Sequence, residues 1–365
     1  MKRKRKRFYE FDFTYRLSKL VGSNWAYGVD IEISDSRSAS LTLPEHVTTM
    51  QLARIEHQHS AGVTAASLAV AAASVFGFDA SSKWTLALIV VATAVIGVPH
   101  GGLDHWSGRD LLQDRIGAWW VPTFFGVYLI VALSVASGWL MAPIFTAVGF
   151  FLISAWHFGM EDEDELSDLP YWSRHLVAVA VGGLVIWVPS VAQSERMSEL
   201  LQLTVPSQML SVADIMSVTQ MLASILLPIA VVAIGRQMRT GSRTAALRNL
   251  ALVILFAVAD PLISFALYFC GWHSVRGLRS LAVKHRKTAI DLALATAPMT
   301  LGAIAFASIG WYVAATSSEV PAATIRTLFI SLSAIAVPHL LLHGPIAKSL
   351  NHLRGSSAQT LELAR

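Results

Sequence analysis

The chain has two textures. Residues 1 to 60 mix charged, aromatic and small side chains, with no apolar run approaching the roughly 20 residues that a bilayer crossing needs. From Ala61 onward long apolar stretches recur between short polar breaks, near 62–78, 84–104, 119–137, 139–158, 175–193, 210–235, 249–271, 289–314 and 323–347. Backbone groups in hydrocarbon must pair within their own segment unless a closed barrel forms, and no ten-residue alternation marks a barrel, so these stretches are read as helices. The pattern predicts an all-α protein, a polytopic transmembrane bundle of about eight to nine segments. Residues 1–60 form a polar extension, 61–350 the transmembrane domain and 351–365 a C-terminal tail.

Composition agrees: 54% of the residues are apolar and 14% charged, against about 25% charged in an average soluble domain. An ordinary cytosolic protein is excluded. The net charge of +4 is local, because six basic residues lie between Met1 and Arg7 and the remainder is slightly acidic. Without a basic folded face there is no support for a nucleic-acid partner. The basic run is not a signal peptide, since no apolar core or cleavage site follows it. It reads as a cytoplasmic tail that holds the N-terminus inside the cell membrane and touches anionic lipid. The one cysteine, Cys270, rules out an internal disulfide or a cysteine-only metal site.

The basic loops set an orientation with one conflict. With the N-terminus inside, the loops holding Arg109 and Arg115, and Arg236 to Arg248, are cytoplasmic, but Arg276 to Arg286 would fall outside if 249–271 crossed once. That stretch carries Asp260-Pro261 at its centre, where proline removes a helix hydrogen bond and an ionisable group is costly. It is expected to be broken or re-entrant.

Of twelve histidines, five stand at or near the C-terminal ends of apolar segments: His100 in GVPHGGLDH, His157 in SAWHFGMEDED, His273 in YFCGWHSVRGL, and His339 and His343 in AVPHLLLHGP. Polar groups at that depth face a bundle interior or cavity. The spacing of His339 and His343 puts both rings on one helix face, as two donors to one metal or as two hydrogen-bonded residues lining a helix contact. His100 and His157, at similar depth on other segments, can converge with them on one divalent ion. Convergence needs an even number of crossings between 157 and 339, and the broken segment at Asp260-Pro261 supplies it. Asp104, Glu161 and Asp162 are placed to accept a ring N–H, although the acidic run from Glu161 to Asp168 also reads as a solvated loop. Gly97 and Gly101 bracket His100 at a spacing suited to close helix packing. Trp156, Trp272 and other aromatics crowd the same places, as interfacial belt and core or as the lining of an apolar tunnel. A metal beside such a tunnel favours a lipophilic substrate and oxidative chemistry over hydrolysis.

These motifs, taken in order over roughly residues 84–350, resemble the bacteriorhodopsin-related Brp/Blh family of membrane-bound beta-carotene 15,15'-dioxygenases. The resemblance implies an Fe(2+) enzyme that uses dioxygen to split beta-carotene at its central double bond into two all-trans-retinal molecules, the chromophore of a rhodopsin partner. It places the iron on His100, His157, His339 and His343, with His273 as a cavity or supporting residue beside Trp272. Gly277 follows Arg276 where the family often has a further histidine. Four imidazoles would leave the ion its full charge and, in an octahedral arrangement, two positions for dioxygen.

Two other classes stay open on the sequence. A metal-free transporter or an opsin-associated carotenoid-binding protein would use the same histidines for protons or as a polar core. A di-iron membrane hydroxylase or desaturase fits less well, because such proteins carry several histidine boxes with HxxHH among them, and this chain has one HxxxH and no paired histidines.

Overall fold

The computed structural model describes residues 49–77, 82–162, 166, 169–205 and 211–343, with side chains from residue 54 to residue 342 within those bounds. The basic run near the N-terminus, the acidic positions 163–165, the tail at 351–365 and the His343 side chain lie outside the described residues.

Fourteen α-helices follow one another among the described residues, with no strand. They are α1 (Thr49–Val75), α2 (Lys83–Ala92), α3 (Asp104–Ile116), α4 (Trp120–Met141), α5 (Pro143–Asp162), α6 (Tyr171–Gly182), α7 (Leu184–Ala192), α8 (Ser194–Thr204), α9 (Ser211–Thr240), α10 (Arg243–Val258), α11 (Pro261–Ala266), α12 (Val275–Lys284), α13 (Ala289–Ala315) and α14 (Val320–His343). Three irregular stretches interrupt the regular helices among the described residues, one of them a 3-10 turn (Gly117–Trp119) between α3 and α4. A π turn (Thr93–Gly97) and a 3-10 turn (Val98–Gly101) extend α2, and a π-helical segment (Leu267–Ser274) joins α11 to α12.

Among the described residues, five helical stretches are long and apolar enough to cross a bilayer: Lys83–Met141, Pro143–Asp162, Ser211–Thr240, Ala289–Ala315 and Val320–Leu342. The pair α6 and α7, bent by 51°, passes the same test together as a sixth. Large apolar side chains such as Phe145, Val232 and Tyr312 stand exposed on the outside, as lipid-facing residues of a membrane bundle do. The nine apolar stretches therefore do not resolve into eight or nine such spans. The stretches at 84–104 and 119–137 fall within one run, and 175–193 is the bent pair. The stretch at 62–78 belongs to a helix that begins at Thr49 with polar sequence, runs straight through the boundary expected at residue 60, and packs along α10.

The break expected at Asp260-Pro261 is present. Helix α10 ends at Val258, and Asp260 caps α11 by accepting the Leu262 N–H at 2.9 Å. Its second oxygen accepts from Arg196 Nε of α8 at 2.8 Å. A carboxylate that would be costly as an isolated charge is thus both a helix cap and half of an ion pair.

The tightest helix contact positions the core. Helices α5 and α6 cross at Gly159 and Gly182, with backbone against backbone. A Cβ on Gly159 would fall 2.0 Å from the Ala178 carbonyl oxygen, and one on Gly182 would fall 2.1 Å from the Gly159 nitrogen. Small residues permit this approach. Gly159→Ala and Gly182→Ala are expected to cost on the order of 1–3 kcal/mol or more by overpacking. Gly149→Ala, on the same α5 but facing open space, is expected to leave stability unchanged or raised. Thermal unfolding of the three variants in detergent checks the contrast.

Candidate functional site

Each of four histidines reaches the bundle interior from a different segment; two of those segments depart from regular helix at the histidine, and a third carries a proline just before it. Pro99 has no N–H to donate, and at this point the chain tightens into the 3-10 turn that carries His100. His273 lies in the π-helical segment, a geometry that often marks functional sites because it turns side chains off the regular helical face. His339 follows Pro338 inside α14, and His157 sits on α5 two residues before the Gly159 crossing. Gly97 and Gly101 allow the close packing expected of them: a Cβ on Gly97 would fall 2.5 Å from the Phe269 ring, and one on Gly101 would fall 3.2 Å from His339 Nδ1.

The four rings form a closed circuit. His100 lies 5.0 Å from His273 and 5.4 Å from His339 between ring centroids, while His157 lies 5.1 Å and 5.5 Å from the same two. All four pairs meet edge to face, at 72° to 88°. One ring nitrogen from each of His100, His157 and His273 lies within 4.8 Å of the others, so these three residues can hold a metal ion.

The outward nitrogens are held by protein acceptors. His339 Nδ1–H donates to Asp104, at 2.8 Å from Oδ1 and 3.0 Å from Oδ2. His273 Nδ1–H donates to Asp162 Oδ1 at 3.1 Å, and His100 Nδ1–H donates to the Gly97 carbonyl. Two tyrosines complete the pattern: Tyr128 donates to Asp104 at 3.1 Å and Tyr268 to Asp162 at 2.8 Å. Both aspartates are buried. With Nδ1 committed, Nε2 of His273 is buried with no hydrogen-bond partner among the described residues. A metal ion is the partner that such a donor set fits, since metal-bound imidazoles donate their other N–H to carboxylates or carbonyls.

Beside the circuit lies a cavity of about 380 Å³. Apart from the histidines, Tyr128 and Ser154, its walls are apolar, with Phe151, Phe158, Phe265 and Phe269 on one side and Met299 and Phe306 on another. Phe158 stands 4.7 Å from His273, and Phe269 5.6 Å from His100.

The structure thus brings together His100, His157 and His339 of the expected set, and places His273 in the circuit itself where a supporting position was expected. The π-helical segment is the physical reason, because it turns that ring inward. The backbone of α14 extends to His343, whose side chain lies outside the described residues. Asp104 and Asp162 sit directly behind rings, and Glu161, half-buried in the last turn of α5, lies within electrostatic reach of His339. Trp156 and Trp272 do not line the cavity. Trp156 donates to His175 on α6, and Trp272 packs against His59 and Arg248. Sequence reasoning placed Tyr128 and Tyr268 among the general aromatic crowding. The available signal was a hydroxyl on an otherwise apolar stretch, which needs an acceptor when buried.

Residues 91–345 match the family described as beta-carotene 15,15'-dioxygenase. The chain belongs to that family. It is 27% identical over 296 residues to a probable beta-carotene 15,15'-dioxygenase, Blh, of Halobacterium salinarum, covering 73% of this chain and 86% of that one. It is also 27% identical over 266 residues to the beta-carotene 15,15'-dioxygenase of an uncultured marine bacterium, 66A03, covering 70% and 90%. No solved structure matches it. As a member of this Brp/Blh family the chain is a carotenoid-cleaving dioxygenase, and the histidine circuit beside an apolar cavity is its candidate active site. Replacing either aspartate by alanine leaves a ring N–H without its acceptor, and Asp104→Ala or Asp162→Ala is expected to weaken metal binding by about 10- to 100-fold. Titration of the purified variants with ferrous or cobaltous ion checks this.

Proposed function

We propose that this dioxygenase uses Fe(2+) and dioxygen to split beta-carotene at its central 15,15' double bond into two molecules of all-trans-retinal. The observation that carries the proposal is the circuit of four imidazoles opening on an apolar cavity in a chain of this family. The donor set fits a divalent ion: neutral imidazoles, a carboxylate or carbonyl behind three of them, and a buried His273 nitrogen aimed inward. His100, His157, His273 and His339 are the proposed ligands. His343, one turn beyond His339, is the further donor that the sequence pattern nominates.

The bound metal supplies dioxygen activation; the rest falls to the protein. Phe151, Phe158, Phe265 and Phe269 hold a polyene against the histidine end and exclude water from it, so that the double bond placed there is selected by position. Asp104 and Asp162 fix the rings of His339 and His273 with Nδ1 protonated, which turns Nε2 toward the centre. Tyr128 and Tyr268 keep the two carboxylates satisfied where no water reaches them. The products are apolar enough to leave through lipid, and a rhodopsin is the acceptor that retinal chemistry fits. The protein works in the cell membrane with its N-terminus on the cytoplasmic side, as its basic tail and basic loops favour.

Expression in a host that makes beta-carotene is expected to bleach the orange colour, with all-trans-retinal recovered by chromatography and one iron per purified chain. A host that stays orange while the folded protein accumulates would overturn the assignment. Among variants, His157→Ala and His273→Ala are expected to lose both iron and cleavage. Loss of iron in His343→Ala with retention in His273→Ala would move the fourth ligand to position 343.

A further inference from the structure

The cavity at the histidine circuit is not closed on all sides, and its exposed wall residues are confined to one place. Most of the residues that line it are buried or half-buried. The exposed ones are Phe125 and Leu129 on α4 and Pro298 and Gly302 on α13. These two helices flank α14, which packs against each of them, yet they make almost no contact with each other. Between them runs a crevice whose floor is α14, with Leu332, Ile335 and Ala336 leading toward His339. Gly302 stands near the middle of the 27-residue α13, at the depth of the hydrocarbon. Its Cβ position meets nothing within 4 Å. The crevice is therefore open where lipid tails lie, and the polar ends of the bundle are not where the cavity opens.

We propose that this crevice is the lateral port through which the carotenoid passes from the bilayer into the active site, with Gly302 as the residue that keeps it open. The proposal rests on the reading that the substrate is a lipid-dissolved polyene. Such a molecule has no reason to leave hydrocarbon, and a port lined by Phe125, Leu129, Pro298 and Gly302 keeps it in apolar surroundings from membrane to metal. A polar path from either membrane face would serve it poorly. The missing side chain at Gly302 leaves width for a stiff conjugated chain that cannot fold to pass a constriction.

The port can be plugged after folding, which separates blockage from misfolding. The one native cysteine, Cys270, is buried, so a single cysteine placed on α13 is the site a lipophilic maleimide reaches in membranes. Gly302→Cys and Ile309→Cys, the latter at an exposed position outside the cavity wall, are each treated with N-(1-pyrenyl)maleimide and compared with their own untreated samples for beta-carotene cleavage and iron content. The expected result is loss of cleavage on labelling at 302, retained cleavage on labelling at 309, and unchanged iron in both. Gly302→Trp is expected to bind iron and lose cleavage in the same way. Cleavage that survives labelling at 302, a cysteine at 302 that resists labelling, or equal loss at both positions would overturn the port. An unmodified protein that never cleaves beta-carotene would instead overturn the functional reading beneath it.

Discussion

An imidazole buried in a membrane protein has two nitrogens and no water, and that constraint organises the centre of this molecule. A ring N–H left unpaired at such depth costs a few kcal/mol, and an unpaired carboxylate costs more. The structure divides the labour of each ring. Nδ1 of His339 and of His273 is given to a buried aspartate, Nδ1 of His100 to a carbonyl of its own turn, and the remaining side of each ring faces its neighbours. The aspartates create the same problem in turn, and Tyr128, Tyr268 and the guanidinium of Arg276, which donates to the Asp162 backbone carbonyl, answer it. The network extends outward until its last members are paired. Inward it ends on ring nitrogens close enough together to hold a cation.

Regular helices would have placed these rings poorly. A straight α-helix presents one stripe to the interior, and four such stripes seldom point four rings at a single point. The molecule meets this with local departures at two of them, the π and 3-10 turns around His100 and the π-helical segment around His273, while His339 follows Pro338 within an unbroken helix. His157 is likewise carried on an ordinary helix, and there the adjustment lies in helix approach. Gly159 and Gly182 let α5 and α6 touch backbone to backbone, which fixes the depth of a ring that has no irregular turn to aim it.

Much of this was legible in the sequence, and the failures share a cause. Histidines at the ends of apolar stretches are expensive enough to demand an explanation, so His100, His157 and His339 stood out, and Asp260-Pro261 marked a break that the structure contains. The pairing of carboxylates with rings was not legible. Asp104 stands four residues after His100 yet serves His339, 235 residues away, because the turn through Gly101 and Gly102 redirects the chain. The position of the His273 ring in the circuit was not legible because helical periodicity cannot foresee a π-helical segment, whose extra residue per turn rotates one side chain out of register. The number of spans was not legible for a related reason: apolar content does not say how a stretch is used, and α1 packs along α10 while two of the expected stretches fall within the single run Lys83–Met141.

Helix α1 lies before the residues that match the family, 91–345, yet it reaches the active-site scaffold. His59 stacks on Trp272 at 5.0 Å between centroids and donates from Nε2 to the Gly271 carbonyl at 2.7 Å, while Glu56 meets Arg276 at 3.4 Å. The Arg248 guanidinium also lies over the indole, 4.0 Å from the ring centroid, a desolvated cation-π contact worth on the order of 2 kcal/mol. Trp272 immediately precedes His273, and a π-helical turn is the least stable part of the helix that contains it. A ring that must point inward from such a turn needs its neighbour clamped. Trp272, held by His59 and Arg248, supplies the clamp, so a segment outside the family match bears on the geometry of His273.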